Sequence, residues 1–232
     1  MPFSWTWNKK YIPPEEARKN RSVAHVSKLK CLNCPDLDNL RRNITVLVTG
    51  DGSCLAEDVK AFNEWAIPHD IYCVNRSMLF FEKPIHHWCA VDAEESMFFA
   101  QHLNIKIRPP GHQIYRHTIG VCPGAYNVFW EVDKNLENEY QSRLWAGNSG
   151  YFAVLTAVAM GYTNIILAGM PLDRNPHWYE PKEETGPNWI GATYTQWMDF
   201  KMQHPHAFKV KSMSGYSAFI LGQAEYANGR IK

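Results

Sequence analysis

Short apolar runs recur along the chain, each stopped by glycine or a polar residue. The first covers 44–48 (Ile-Thr-Val-Leu-Val), stops at Thr49-Gly50-Asp51-Gly52-Ser53, and leads into a helical pattern at 55–65. Further runs cover 70–75, ending in Asn75, and 87–92, ending in Asp92 before a helix at 94–102. Another, at 117–122, ends in Pro123-Gly124. Gly147-Asn148-Ser149-Gly150 then opens a helix at 151–160, which Gly161 ends as a left-handed cap. The run 164–168 stops at Gly169, a helix follows at 194–203, a strand at 208–212, and a closing helix at 217–226. Continuous apolar runs of this length read as strands buried on both faces. Their alternation with helices predicts an α/β, Rossmann-like, doubly wound fold: a mostly parallel sheet with helices on both faces.

Two segments break the rhythm. Residues 1–43 are rich in Trp, Pro, Lys and Arg and show no sustained period, apart from a short helix at 14–19. Trp5, Trp7 and Tyr11 are costly to leave in water, so this arm is expected to dock on the domain formed by 44–232, or on a partner subunit in a homo-oligomer. The polar stretch 170–190, rich in Pro and Trp, is too long for a plain connection and reads as an active-site loop.

Composition narrows the class. The 232 residues suffice for a full core, and a net charge of +1 gives no global field for nucleic acid or an anionic membrane. No apolar run approaches a membrane span, and no secretory pattern opens the chain, so it reads as cytoplasmic. Cys73, Cys89 and Cys122 fall inside apolar runs and read as core residues. Cys31 and Cys34 form a lone CxxC, which is either a surface loop or, with His25, part of a metal site lacking an evident fourth ligand. The pairs His86-His87 and His204/His206 lack partners at metal-ligand spacing and read as structural.

In open parallel sheets, ligands bind past the carboxyl ends of the strands. Asp51, Asn75, Asp92, Ser149 and the segment 212–217 all lie just past an apolar run or at the next helix start, so a parallel sheet places them on one rim. Gly50-Asp51-Gly52-Ser53 is a strand–turn–helix junction suited to close approach of a ligand, though it also suits ordinary helix capping. It is neither GxGxxG nor a phosphate-binding loop with its lysine. Asn148-Ser149-Gly150 offers a second helix start with free N–H groups for an anion. In the 170–190 loop, His177 is a base or a phosphate donor, or else a surface residue beside a packed Trp178.

This order of motifs resembles the bacterial sialyltransferases of glycosyltransferase family 42, and a wider motility-accessory and pterin-diphosphokinase-like group, over about 44–223. Gly50-Asp51-Gly52-Ser53-Cys54-Leu55 stands where the family has Gly-Asn-Gly-Pro-Ser-Leu, and Asn75 and Asp92 look like its strand-end polar residues. The most specific match is Asn148-Ser149-Gly150-Tyr151, then Ala157 to Tyr162, then Ile165 to Gly169. The run from Lys209 to Ser217 is similar to the family's final strand and its serine turn. The resemblance implies that Gly50, Asp51, Gly52, Ser53, Asn75, Asp92, Asn148, Ser149, Gly150, Gly169, Ser214 and Ser217 bind a nucleotide. It also implies that Tyr179 contacts phosphate. The family's general-base histidine precedes an aromatic-Ile-Gly triplet. Here the triplet is Trp189-Ile190-Gly191 and the preceding residue is Asn188, which takes no proton at neutral pH. The family's acid after the Gly169 strand is Pro171 here, and the nearest acid is Asp173.

The expectation is therefore a glycosyltransferase using a nucleotide-sugar donor, with a CMP-sugar as first candidate. His177 replaces the family base, the acceptor is open, and no metal cofactor is required. Two alternatives stand beside it. One is a Mg²⁺-dependent phosphotransferase or pyrophosphokinase of a nucleotide or pterin, with Asp51, Asp92 and Asp173 as ligands. The other is a nucleotide-binding protein without catalysis.

Overall fold

The computed structural model describes residues 29–91, 113–119, 127–132, 148–181 and 190–232, with backbone alone at 132 and 190–192. Eight strands form one sheet: β1 (Leu29–Cys31), β2 (Thr45–Thr49), β3 (Asp70–Val74), β4 (His87–Cys89), β5 (Tyr115–Ile119), β6 (Val128–Val132), β7 (Asn164–Ala168) and β8 (Val210–Ser212). Their spatial order is β1-β6-β5-β4-β3-β2-β7-β8, and every pairing is parallel except that of β1 with β6. The α/β, mostly parallel architecture read from the sequence is the one observed.

Helices cover both faces. On one, α1 (Leu55–Asn63) presents Leu55, Val59 and Phe62 to Leu47, Cys73 and Ile166. On the other lie α2 (Ser149–Ala159), α3 (Ile190–Gln203) and α4 (Gly215–Leu221), which bury Phe152, Trp197 and Leu221 with Val46, Val48 and Tyr72. The strand β2 therefore feeds both layers, odd positions to one and even to the other, as a period of two requires. Each such large apolar side chain, fully buried, contributes roughly 1.5–3 kcal/mol. The helix α2 is buried nearly all round, which its small residues Ala153 and Ala157 permit, and it ends at Gly161 with φ +81°. Among the described residues, no helix is long and apolar enough to cross a membrane.

Several expectations change. Residues 29–43 are part of the sheet domain: β1 is its antiparallel edge strand, and the single turn Leu37–Leu40 buries Leu40. The aromatic arm and its helix at 14–19 lie outside the described residues, as do the helix at 94–102 and Cys122. The strand expected at 117–122 sits at Tyr115–Ile119, and β6 lies where no strand was read. The last strand starts at Val210, because Ala207–Lys209 forms a 3-10 turn. The closing helix stops at Leu221, where Gly222 takes φ +101°. Tyr226 lies instead in a hairpin of β9 (Tyr226–Ala227) and β10 (Arg230–Ile231). Its turn is Asn228-Gly229, both with positive φ, the geometry an Asn-Gly pair favours.

The histidine pair read as structural, His86-His87, is built into the amino ends of the strands. The Trp130 indole donates to His117 Nδ1 (3.0 Å), and His117 Nε2 meets His87 Nδ1 (3.0 Å). His87 Nε2 meets the Tyr162 hydroxyl (2.9 Å), which donates to Asp70 Oδ2 (2.6 Å). Because an indole only donates, every link has one direction, and both imidazoles must be neutral. Burial pushes His87 down to about 3 and His117 well below its ordinary value, the latter helped by His87 beside it. Asp70 also accepts from the N–H groups of Arg42 and Asn43 and from the Asn43 amide, which ties the segment before β2 to the sheet.

Candidate functional site

The parallel register brings the strand ends level: Thr49 pairs with Ala168 and with Cys73, and Val74 with Cys89. From β2 the chain steps one way to β3, and from β7 the other way to β8, so the switch point lies between β2 and β7. A cavity of about 200 Å³ opens there. Its wall includes Gly50, Asp51 and Gly52 after β2, Asn75 after β3, Asn148 to Gly150 at the start of α2, and Gly169 after β7. Met170 to Asp173, Asn175 and His177 line it from the loop, and Thr193 and Trp197 from α3. Its volume is below the roughly 300–1,000 Å³ common for small-molecule sites.

Nine of the nucleotide-binding and catalytic candidates read from the sequence thus meet at one cavity, together with Asp173. Ser53, Tyr179, Ser214 and Ser217 do not line it, and Asp92 and Asn188 lie outside the described residues. The Ser214 hydroxyl donates to Asp58 Oδ2 (2.8 Å), and that of Ser217 to the Met170 carbonyl (2.6 Å), so both serines hold the loops behind the cavity. Asp58 Oδ2 also accepts the Gly169 N–H (2.9 Å) and the Cys54 thiol (3.3 Å), joining the loops after β2, β7 and β8. Burial raises the Asp58 carboxyl despite these donors.

The glycines serve loop packing. A Cβ on Gly50 would stand 2.7 Å from the Gly169 carbonyl oxygen, and one on Gly169, itself at φ +66°, 2.6 Å from that of Gly50. A Cβ on Gly52 would stand 2.8 Å from the same Gly169 oxygen. The two loops are laced by Gly50 N–H to Ala168 O and Gly52 N–H to Gly169 O. The switch-point crevice is therefore floored by backbone against backbone.

Asn148 caps α2: its Oδ1 accepts the Tyr151 N–H (3.1 Å) and its amide donates to Gln196 Oε1 (3.0 Å). The Phe152 N–H goes to the Asn148 carbonyl, which leaves the N–H groups of Ser149 and Gly150 for a ligand at this end. The Ser149 hydroxyl accepts the Val91 N–H (3.0 Å). Asn75 sits at φ +49° with its carbonyl held by the Trp88 indole, and its Oδ1 is buried without a hydrogen bond. A buried acceptor without a donor on a cavity wall is suited to a donor group on a ligand.

The 170–181 loop folds back over the β2 turn. His177 pairs with Gly52 as an antiparallel bridge, and the Trp178 N–H donates to the Asp51 carbonyl (2.9 Å). His177 and Glu180 form a dyad: Glu180 Oε2 lies 2.8 Å from His177 Nδ1 and accepts the His177 N–H at 2.7 Å. Burial alone raises the Glu180 carboxyl, but the hydrogen bonds and charge of His177, with the charge of Arg76, hold it below its ordinary value. A proton on Nδ1 leaves Nε2 with the free lone pair. Tyr179 stacks on His177 (5.4 Å, 7°) and carries the Arg76 guanidinium on its ring at 4.9 Å. Sequence reading singled out His177 and Tyr179 but passed over Glu180 and Arg76. The His-x-x-Glu spacing on a turn is the signal for Glu180, whereas Arg76 has none. Asp51 and Asp173 both line the cavity, and among the described residues no three His, Cys, Asp or Glu side chains converge as a metal site. Comparison of the chain with protein-family models and with curated proteins finds no match.

Proposed function

We propose that the carboxyl-edge cavity binds a nucleotide-linked sugar donor and that the His177–Glu180 dyad is the general base for its transfer to a hydroxyl-bearing acceptor. The observation that carries the reading is a histidine on the cavity wall whose tautomer a carboxylate fixes, the arrangement general-base catalysis needs. The acceptor hydroxyl gives its proton to His177 Nε2 as its oxygen bonds the anomeric carbon. The bond from that carbon to phosphate breaks with its electron pair going to the phosphate. Glu180 stabilises the imidazolium so formed. In this reading the N–H groups of Ser149 and Gly150 receive the phosphate.

Charge narrows the donor. Among the described residues, the cavity wall carries Asp51 and Asp173 but no Lys or Arg, and a helix N-terminus supplies about half a positive charge. A single phosphodiester, as in a CMP-sugar, suits that balance better than a diphosphate. The carboxylates then face ribose or acceptor hydroxyls, which donate hydrogen bonds to them.

A thermal-shift panel of CMP, UDP, GDP, ADP and their sugars, with and without Mg²⁺, tests this. A ligand at about 100 times its Kd stabilises the fold by about 2.7 kcal/mol. CMP or a CMP-sugar should shift the wild type without metal, and Asn75→Ala should remove the shift. Binding that requires Mg²⁺ would favour phosphoryl transfer through Asp51 and Asp173. Binding without turnover over an acceptor panel would favour a non-catalytic role.

A further inference from the structure

Away from the cavity, the CxxC places two thiols side by side. Cys31 ends β1, Leu32 and Asn33 turn the chain, and Cys34 follows. Both sulfurs are half-buried and direct their thiols to one acceptor, Asn33 Oδ1, at 3.7 and 3.8 Å. Both thiols are free and share that one acceptor oxygen, which holds them on the same side of the turn. The other described cysteines differ: Cys73 and Cys89 are fully buried, and Cys54 is packed against Asp58 and Ser214.

We propose that Cys31 and Cys34 form a paired-thiol oxidation site, closing to an intramolecular disulfide by exchange with a low-molecular-weight disulfide such as oxidised glutathione. The Cys31 thiolate attacks one sulfur of the small disulfide and forms a mixed disulfide, releasing one small thiol. The Cys34 thiolate then attacks the Cys31 sulfur and releases the second. Two protein thiols are oxidised, one small disulfide is reduced to two thiols, and the two protons end on those thiols. Burial, with Cys31 beside it, pushes Cys34 up to about 11, which lowers its thiolate fraction, so its step depends on the proximity of an intramolecular attack.

The surrounding structure tolerates both states. The strand end is held by Leu32 N–H to Phe129 O (2.8 Å), the Asn33 amide to Asn127 O (2.9 Å) and Phe129 N–H to Asn33 Oδ1 (2.9 Å). None of these bonds involves sulfur. The pair also lies on the sheet edge opposite β8, with β6, β5, β4 and β3 between it and β2, so its oxidation is separable from ligand binding.

The test uses the full chain in a Cys122→Ser background, treated natively with oxidised glutathione, alkylated and mapped by mass spectrometry. A Cys31–Cys34 peptide lighter by two hydrogens, without lasting glutathione, is the expected product. Adding Cys34→Ser should trap the adduct on Cys31, lengthening its lifetime by about tenfold or more. A second measurement avoids cysteine variants in the pair: a trivalent arsenical, which bridges only adjacent sulfurs, should bind once and block both thiols together. Thiols that stay reduced, a persistent glutathione adduct on the unsubstituted pair, or failure to take up the arsenical would each overturn the proposal.

Discussion

The same strands are finished in opposite ways at their two ends. From the amino ends inward, Asp70, Tyr162, His87, His117 and Trp130 form a closed chain through the sheet in which each donor has one acceptor and no water is needed. At the carboxyl ends, a cavity is bordered by Asn75 with an unused acceptor, a helix N-terminus with free N–H groups, and a half-exposed imidazole. Buried polar groups stabilise when all are paired, and those left unpaired at an opening are where a ligand can gain most. The contrast separates residues that hold the fold from residues that recognise something.

The largest effect should fall on the open end. His177→Ala is expected to lower turnover by about 10²–10⁴-fold while leaving the unfolding midpoint nearly unchanged. Glu180→Gln should weaken turnover less, since it disturbs the tautomer and keeps the imidazole. Equal loss of stability in both variants would erase the contrast.

At the closed end the pattern should invert. Asp70→Ala leaves the Tyr162 hydroxyl, two backbone N–H groups and the Asn43 amide without their acceptor, so urea unfolding should show a loss of about 3 kcal/mol or more. Nucleotide affinity of the folded fraction should not change.

Acid sharpens the comparison. His87 and His117 are held neutral by burial, with folded values below the ordinary 6.5, so the unfolded chain binds more protons as pH falls. Stability should therefore fall as pH drops below about 6.5, each histidine adding a slope of up to about 1.4 kcal/mol per pH unit, levelling for His87 only near its folded value of about 3. Asp70, held below its ordinary value by the donors around it despite burial, adds a loss of the same sign at lower pH. Unfolding curves between pH 7 and 4 measure this (about the range where the histidines act), and His117→Phe should reduce the slope. A slope unchanged by that substitution would remove the histidines from the account.

The smallest effect concerns the serines behind the cavity. Ser214→Ala takes one donor from Asp58 and should cost about 1–2 kcal/mol in stability, with affinity for the ligand unchanged. A loss of affinity without loss of stability would return Ser214 to the binding site.

The sequence by itself determined the class of fold and the rim. The runs 46–48 and 165–168 are apolar at every position, which only a strand buried on both faces requires, and the polar residues after them are level once the strands run parallel. Helix ends at Gly161 and Asn148 were legible because their chemistry is local. Strand β6, the antiparallel β1 and the short hairpin were not, although Asn228-Gly229 is a local sign of that last turn. Edge position and direction depend on which distant segment supplies the partner, and no local period records that. The same holds for the site. Only the tertiary structure turned Gly50 and Gly169 to face each other, gave Ser214 to Asp58, set Glu180 under His177 and linked an indole through two distant histidines to a tyrosine and an aspartate. These are pairings between side chains far apart in the chain or across a turn, and their energies arise from a shared, water-poor interior that exists only after folding.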